Sequence, residues 1–344
     1  MTGDLMNSVP AHTLTDMGQP RRRQLLALAG ATLLTSLTGT RALAQADWPN
    51  RPIRFIVPFS AGGAADTAAR AMGAKVGDIL GQSIIIENRT GGNAVVAANA
   101  VLGMPKDGYT FIWDAANQLT NPLLLKDLTF DYAKAFAPVT MGVRVAQALV
   151  VRNDFPARTV EEFIAYAKAR PGTVSCGTPP AGAMGHLAMA LLQQRAGIKL
   201  IHAPYRGGAD AGRDLMGGQI DSALITTSTA RGAVAAGKAR ILALTSAQRN
   251  PAYQDVPTLA ERGFPRYDMD DWFALFAASG TPVSIINRMQ QAVAQAARDP
   301  ALTAILAPLG AVAVANTPQE FGVWLTQQRE VLDKVIREAN ITLS

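Results

Sequence analysis

The residues best suited to chemistry lie in a few short stretches. Ser60-Ala61-Gly62-Gly63-Ala64-Ala65-Asp66 sets a hydroxyl, two glycines and a carboxylate within seven residues. Glycine reaches backbone angles closed to other residues, so this run can turn tightly and point several N–H groups into one small space. With a helix starting at Ala64, the positive end of that helix makes the turn a site for a small anion. The run lacks the Lys-Ser/Thr end of a phosphate loop and the Gly-x-Gly-x-x-Gly spacing of a dinucleotide fold, so a carboxylate fits better than a nucleotide. An ordinary βα turn is the plain alternative. Asp66 would repel a bound anion at close range, which favours loop ordering or a water-mediated contact.

Pro204-Tyr205-Arg206-Gly207-Gly208 combines a phenol, a guanidinium and glycine N–H groups. Arg206 either grips a carboxylate with two parallel bonds or stands as a solvated turn residue. Cys176 and His186 could be imagined as nucleophile and base. Cysteine catalysis needs a thiolate, a base in reach and an orienting group, and nothing in the sequence requires such a partner to be close. His186, at a helix start, reads better as a ligand donor or a structural donor. Beyond the first 44 residues only His202 joins it, so no histidine metal site is expected. One cysteine excludes an intramolecular disulfide and a thiolate cluster.

The elements that must carry these residues repeat one unit: strand, glycine turn, helix. Ile53, Phe55, Ile56 and Val57 form a buried strand that runs into the first turn. A second strand over 83–88 ends in Arg89-Thr90-Gly91-Gly92-Asn93, and a third over 109–113 ends in Asp114-Ala115-Ala116-Asn117-Gln118. Repetition of this kind predicts a parallel sheet with crossover helices. Ligands of open α/β sheets sit beyond the carboxyl ends of the strands, which draws Asn117 into the candidate site. A second set of units starts with a strand over 147–151 and continues with strands near 173–177, 200–204, 220–226 and 240–244. A strand over 272–276 returns to the first set, and helices over 284–298, 300–306 and 318–339 follow. Extended crossings near 145–148 and 268–272 form a hinge on which two lobes can close.

With 344 residues, the chain is long enough for two domains. Only 17% of residues are charged and nearly half are apolar, which marks a globular chain. Of the net charge of +6, +2 lies in residues 1–44. The remaining basic residues are scattered, without a basic run or a basic-aromatic stripe, so no nucleic-acid partner is expected. Mild positive charge does help attract anionic solutes.

Residues 1–44 have the layout of an export signal peptide. Arg21-Arg22-Arg23 precede an apolar run over 24–34, and Ala42-Leu43-Ala44 or Ala44-Gln45-Ala46 offers a cleavage site. An uncleaved anchor is the alternative. Arg22-Arg23-Gln24-Leu25-Leu26 and Arg41 lean towards twin-arginine export, with general secretion still open. A mature chain starting near Gln45 or Asp47 would be a soluble periplasmic protein.

Several further stretches occur in a fixed order: Pro58-Phe59-Ser60-Ala61-Gly62-Gly63, Glu87-Asn88-Arg89, Pro105-Lys106-Asp107-Gly108-Tyr109-Thr110, Gly185-His186-Leu187, Pro204-Tyr205-Arg206-Gly207-Gly208, Gly217-Gly218-Gln219-Ile220-Asp221 and Asp255-Val256-Pro257-Thr258-Leu259-Ala260-Glu261. With the export signal, this order resembles the tripartite tricarboxylate transporter substrate-binding family, also called the Bug receptors, over essentially the whole mature chain. The resemblance implies an α/β, two-lobed periplasmic binding protein of type II (Venus flytrap) with a hinge of two crossings. Lobe 1 would comprise 47–146 plus 271–344 and lobe 2 would comprise 147–270. Such receptors hand a small carboxylate to membrane permease subunits, do no chemistry and use no cofactor. A monomer is expected, since a closing hinge must move freely.

Carried over residue by residue, the resemblance assigns ligand binding to Phe59, Ser60, Ala61, Gly62, Gly63 and Asp66 from one lobe. From the other it assigns Thr178, His186, Tyr205 and Thr226, and the strand-end reading adds Asn117 and Arg206. Departures from the family pattern at Thr90-Gly91-Gly92-Asn93, Pro179-Pro180-Ala181 and Ile225-Thr226-Thr227 bear on which carboxylate is bound. Two rival readings stand beside the receptor: a carboxylate sensor subunit for a signalling partner, and an exported hydrolase using Cys176 and His186.

Overall fold

The computed structural model describes residues 48–59, 61–179, 182–205 and 207–342. The export signal over 1–44 with its cleavage sites, Ser60 and Arg206 lie outside the described residues. The strands are β1 (Ile53–Val57), β2 (Ile84–Asn88), β3 (Thr110–Asp114), β4 (Phe136–Val145), β5 (Gln147–Arg152), β6 (Ser175–Thr178), β7 (Ile201–Pro204), β8 (Ser222–Thr226), β9 (Ala239–Leu244), β10 (Asp271–Ala278) and β11 (Ala311–Ala313). They form a six-stranded sheet, β11-β4-β10-β3-β1-β2, and a five-stranded sheet, β7-β6-β8-β5-β9.

The expected parallel pairing holds for β2-β1-β3 and for β7-β6-β8. Elsewhere both sheets are antiparallel: β10 pairs with β3 and β4, β4 with β11, and β5 with β8 and β9. Strands β4 and β11 have no counterpart in the sequence reading. Pro138 and Gly142 interrupt the strand signal of β4, and each has a local reason to be there. Pro138 pairs with β10 at Phe276, and β11 flanks β4 only from Val143 to Val145, so the other edge at Pro138 has no ladder partner to miss its N–H. Gly142 leaves room for the Trp113 ring, which a side chain would strike.

Helix Ala64–Leu80 buries Ala65, Ala68, Ala69, Met72 and Val76 and packs on β1, β2 and helix Val283–Ala296. The last long helix, Pro318–Glu338, starts at a capping box between Thr317 and Glu320. It packs on β4 and helix Asn117–Leu124 and, further along, on helix Met184–Ala196 beside the other sheet. There Gln194 Nε2 donates to the Val335 carbonyl at 3.5 Å. One apolar core therefore joins the helices that flank the two sheets.

Two chain crossings and one seated loop tie the sheets together. The chain leaves β4 at Val145 and enters β5 at Gln147, and it returns before Asp271. Thr245 N–H donates to the Gln147 carbonyl at 2.9 Å, and Met269 N–H donates to the Thr245 carbonyl at 3.0 Å. The Asp270 carboxylate takes the Thr245 hydroxyl at 3.2 Å and faces Arg144 at 3.7 Å, and Arg144 also pairs with Asp268. Burial pushes Asp270 up to about 7, against the pull of Arg144. The third tie is Gly310, whose carbonyl accepts from Ala146 N–H at 3.1 Å and Asn250 Nδ2 at 3.0 Å. Its φ of +63° favours glycine, and a side chain there would collide with Thr227.

Register places the strand ends. Val145 pairs with Asp271 and Ala274 with Asp114, so β1, β2 and β3 end on the side of their sheet where the crossings lie. Gln147 pairs with Thr226, which puts the ends of β6, β7 and β8 on the crossing side of the second sheet.

Candidate functional site

The first half of the site forms where β1 gives way to helix Ala64–Leu80. Gly62 adopts φ +80°, and the helix begins after Gly63 without any side-chain cap. Its first N–H groups therefore need an outside partner, which is the condition for an anion site. Asp66 is turned the other way. Its carboxylate accepts from Gly62 N–H at 2.9 Å, from Arg70 Nε at 2.9 Å and from Asn88 Nδ2 at 2.9 Å. Asn88 Nδ2 also donates to the Phe59 carbonyl at 3.0 Å. Burial raises the Asp66 pKa, but Arg70, the Gly62 N–H and Asn88 outweigh it and hold the carboxyl below its ordinary value. Asp66 thus orders the turn, the first of the two roles its type allowed. The Phe59 ring stands edge-on to Phe273 at 6.0 Å, and Ala61, Gly62 and Gly63 are exposed.

Asn117 lies at the end of β3, where its Nδ2 donates to the Asn93 carbonyl at 3.0 Å; Asn121 donates to the same oxygen at 2.6 Å. Together they hold a loop in which Gly91, Gly92, Asn93 and Ala94 all have positive φ. Asp114, fully buried beneath, accepts from Ala115 N–H and Gln118 Nε2 and is pushed by burial up to about 7.

The second half has a different chemistry. Thr178 ends β6 and donates its hydroxyl to the Pro179 carbonyl at 2.8 Å, so His202 Nε2, 2.8 Å from the Thr178 Oγ1, must donate to that hydroxyl oxygen. His186 stacks on His202 with ring centroids 4.0 Å apart, and its Nδ1 accepts from Gly182 N–H at 3.3 Å. That bond leaves the proton on Nε2. Burial and the neighbouring His202 push His186 down to about 4, and burial lowers His202 as well, so both rings are neutral donors near pH 7. Helix Met184–Ala196 follows Ala183 and, like its counterpart after Gly63, carries no side-chain cap.

Tyr205 and Thr226 are engaged within their own lobe. The Tyr205 hydroxyl donates to Asp214 at 2.9 Å, and burial together with Asp214 raises its pKa to about 12. Thr226 caps helix Thr227–Ala235, its Oγ1 lying 2.8 Å from Thr229 Oγ1. Cys176 is fully buried with its thiol pushed up to about 12 by burial, so the thiolate that a Cys176/His186 hydrolase requires does not form at neutral pH.

The structure thus places the described candidates at the crossing-side ends of the two sheets. It separates groups with donors to offer, the exposed Ala61 and Gly63 and the half-buried His186, from residues that brace the loops: Asp66, Asn117, Tyr205 and Thr226. Two residues at these ends escaped the sequence reading. Asn88 ties β1 to β2, and its place in Glu87-Asn88-Arg89 was the available signal. Gln147 opens the apolar run of β5 with a buried amide, and a polar residue at that position was the only hint.

Comparison with known proteins agrees with this geometry. The chain has the fold of a two-lobed periplasmic binding protein. The periplasmic binding protein BugD aligns with a TM-score of 0.73 at 28% identity over 86% of this chain and 99% of its own. An R. palustris protein, Rpa4515 with adipate, aligns with a TM-score of 0.77 at 33% identity over 86% and 99%. BugT of Bordetella pertussis is 31% identical over 326 residues, 93% of this chain and 98% of its own. Residues 68–341 match the tripartite tricarboxylate transporter family receptor, and the chain belongs to that family.

Proposed function

We propose that this protein is a periplasmic receptor that binds a small carboxylate and delivers it to the membrane subunits of a tripartite tricarboxylate-type transporter. The observation that carries this reading is the uncapped turn over 61–66 in a chain of this receptor family. Its one carboxylate is consumed by Gly62, Arg70 and Asn88, which leaves the helix start free for an anion. The relative Rpa4515, described with adipate, supports a carboxylate. The lobes are 47–146 plus 271–344 and 147–270, closing about the crossings as a monomer. Ala61 and Gly63 hold the carboxylate from one lobe with their N–H groups, the Gly62 N–H being kept by Asp66, and His186 approaches from the other.

The test is thermal unfolding of the mature protein with mono-, di- and tricarboxylates, amino acids, phosphate and sugars. A solute at about 100 times its dissociation constant adds roughly 2.7 kcal/mol of stability. A shift confined to carboxylates is expected, and a shift with phosphate or sugars alone would overturn the reading. Delivery is tested by uptake into vesicles holding the permease subunits. Uptake should depend on the added receptor, and receptor-independent uptake would rule out the transport role.

A further inference from the structure

Gln147 stands out at the strand ends because nothing among the described residues answers its buried amide. It is 1% exposed, and neither its Nε2 nor its Oε1 has a hydrogen-bond partner among the described residues. Buried amides are nearly always paired, so an amide with both ends unused calls for a partner from outside the chain. Its place is specific. It lies on the β5 face shared with Leu149 and Val151, which join the core beside helix Met184–Ala196. Its Oε1 lies 3.1 Å from where a Cβ on Gly185 would stand, beneath the first turn of that helix. Ala183 gives this helix no side-chain cap, so the amide lies beneath a helix start whose first N–H groups are uncapped. Two other buried hydroxyls near the crossings also lack a partner among the described residues, Ser246 Oγ and Thr227 Oγ1, the latter packed against Gly310.

The chemistry of an amide narrows what can answer it. An ionised carboxylate only accepts, so it would satisfy Nε2 and leave Oε1 facing negative charge. A hydroxyl or a primary amide both donates and accepts, and it satisfies both ends. The helix N–H groups alongside suit a carboxylate.

We propose that Gln147 is a specificity residue, pairing with a hydroxyl or primary amide on the half of the bound carboxylate that faces the second sheet. This rests on the receptor reading above and narrows its substrate class to hydroxylated or amidated acids.

The experiment is titration calorimetry of the mature protein with matched pairs: succinate and malate, succinate and succinamate, tricarballylate and citrate, propionate and lactate. The wild type should favour the hydroxylated or amidated member of at least one pair by about tenfold, the worth of one to two hydrogen bonds. Gln147→Met should bind both members of that pair equally. Its unliganded form should melt no lower than wild type, because an apolar side chain replaces an unpaired amide. Gln147→Leu gives the same comparison if the methionine variant folds poorly. A preference that survives both substitutions, or a wild type that binds the plain acid as tightly in every pair, would overturn the assignment. Failure of a folded wild type to bind any carboxylate overturns the receptor reading and this inference with it, whereas binding without the preference overturns this inference alone.

Discussion

The two helix starts that bracket the candidate site look alike in backbone and differ in how their surroundings are satisfied. At helix Ala64–Leu80, Asp66, Arg70 and Asn88 bond to one another and, through Gly62 N–H, to the turn. At helix Met184–Ala196 two neutral imidazoles stack, and the Gln147 amide has no partner among the described residues. The first is a cradle of exposed backbone, and on the proposed reading it takes the carboxylate. The second presents side-chain donors whose identity can vary, and on this reading it is where the solute is chosen. A receptor family can keep the first and change the second.

The largest effect should come from breaking the cradle. Asp66→Ala leaves the Gly62 N–H, Arg70 and Asn88 without their shared acceptor and should lower stability by about 2–3 kcal/mol. It should also remove carboxylate-induced thermal shifts. A variant that still responds like wild type to carboxylates would show that the turn needs no internal anchor.

The two glycines at these sites should then separate by cause. Gly185→Ala drives a Cβ to 2.6 Å from the Leu224 carbonyl and 2.7 Å from Pro179 Cδ, so the helix start must shift. Overpacking of this kind costs about 1–3 kcal/mol and should weaken binding. Gly62→Ala meets nothing within 4 Å, and its only penalty is the φ of +80°, about 1 kcal/mol. Chemical denaturation of both variants checks the order, and an equal loss would mean that the helix at Gly185 yields freely.

The smallest effect at neutral pH is electrostatic. His186 has a folded pKa of about 4, below its ordinary 6.5, so the unfolded chain binds the extra proton first. Its contribution is complete above pH 6.5 and declines as pH falls from 6.5 towards 4. His186→Gln should therefore show a flatter loss of melting temperature across that window than wild type. Parallel profiles would place the titration elsewhere.

Much of this was legible in the sequence. The strand, glycine turn and helix over 53–80 could be read locally, because apolar β-branched residues and glycines state their preferences within a few positions. The crossings near 145–148 and 268–272 were legible for the same reason. Strands β4 and β11 were not, since Pro138 and Gly142 are tolerated only through neighbours far along the chain: the partly unpaired edge of β4 and the Trp113 ring.

By itself, then, the sequence determined the family, the repeated α/β units and the presence of an anion-suited turn, all of which rest on short-range pattern. Only the tertiary structure decided which distant partners the polar side chains take. Asp66 became a brace because β2 brings Asn88 within 2.9 Å of it, and Tyr205 turned to Asp214 on its own lobe. Gln147 has no partner among the described residues because the face of β5 carries it under Gly185, which has no side chain to offer. Hydrogen-bond partners are chosen by packing across tens of residues, and no local spacing encodes that choice.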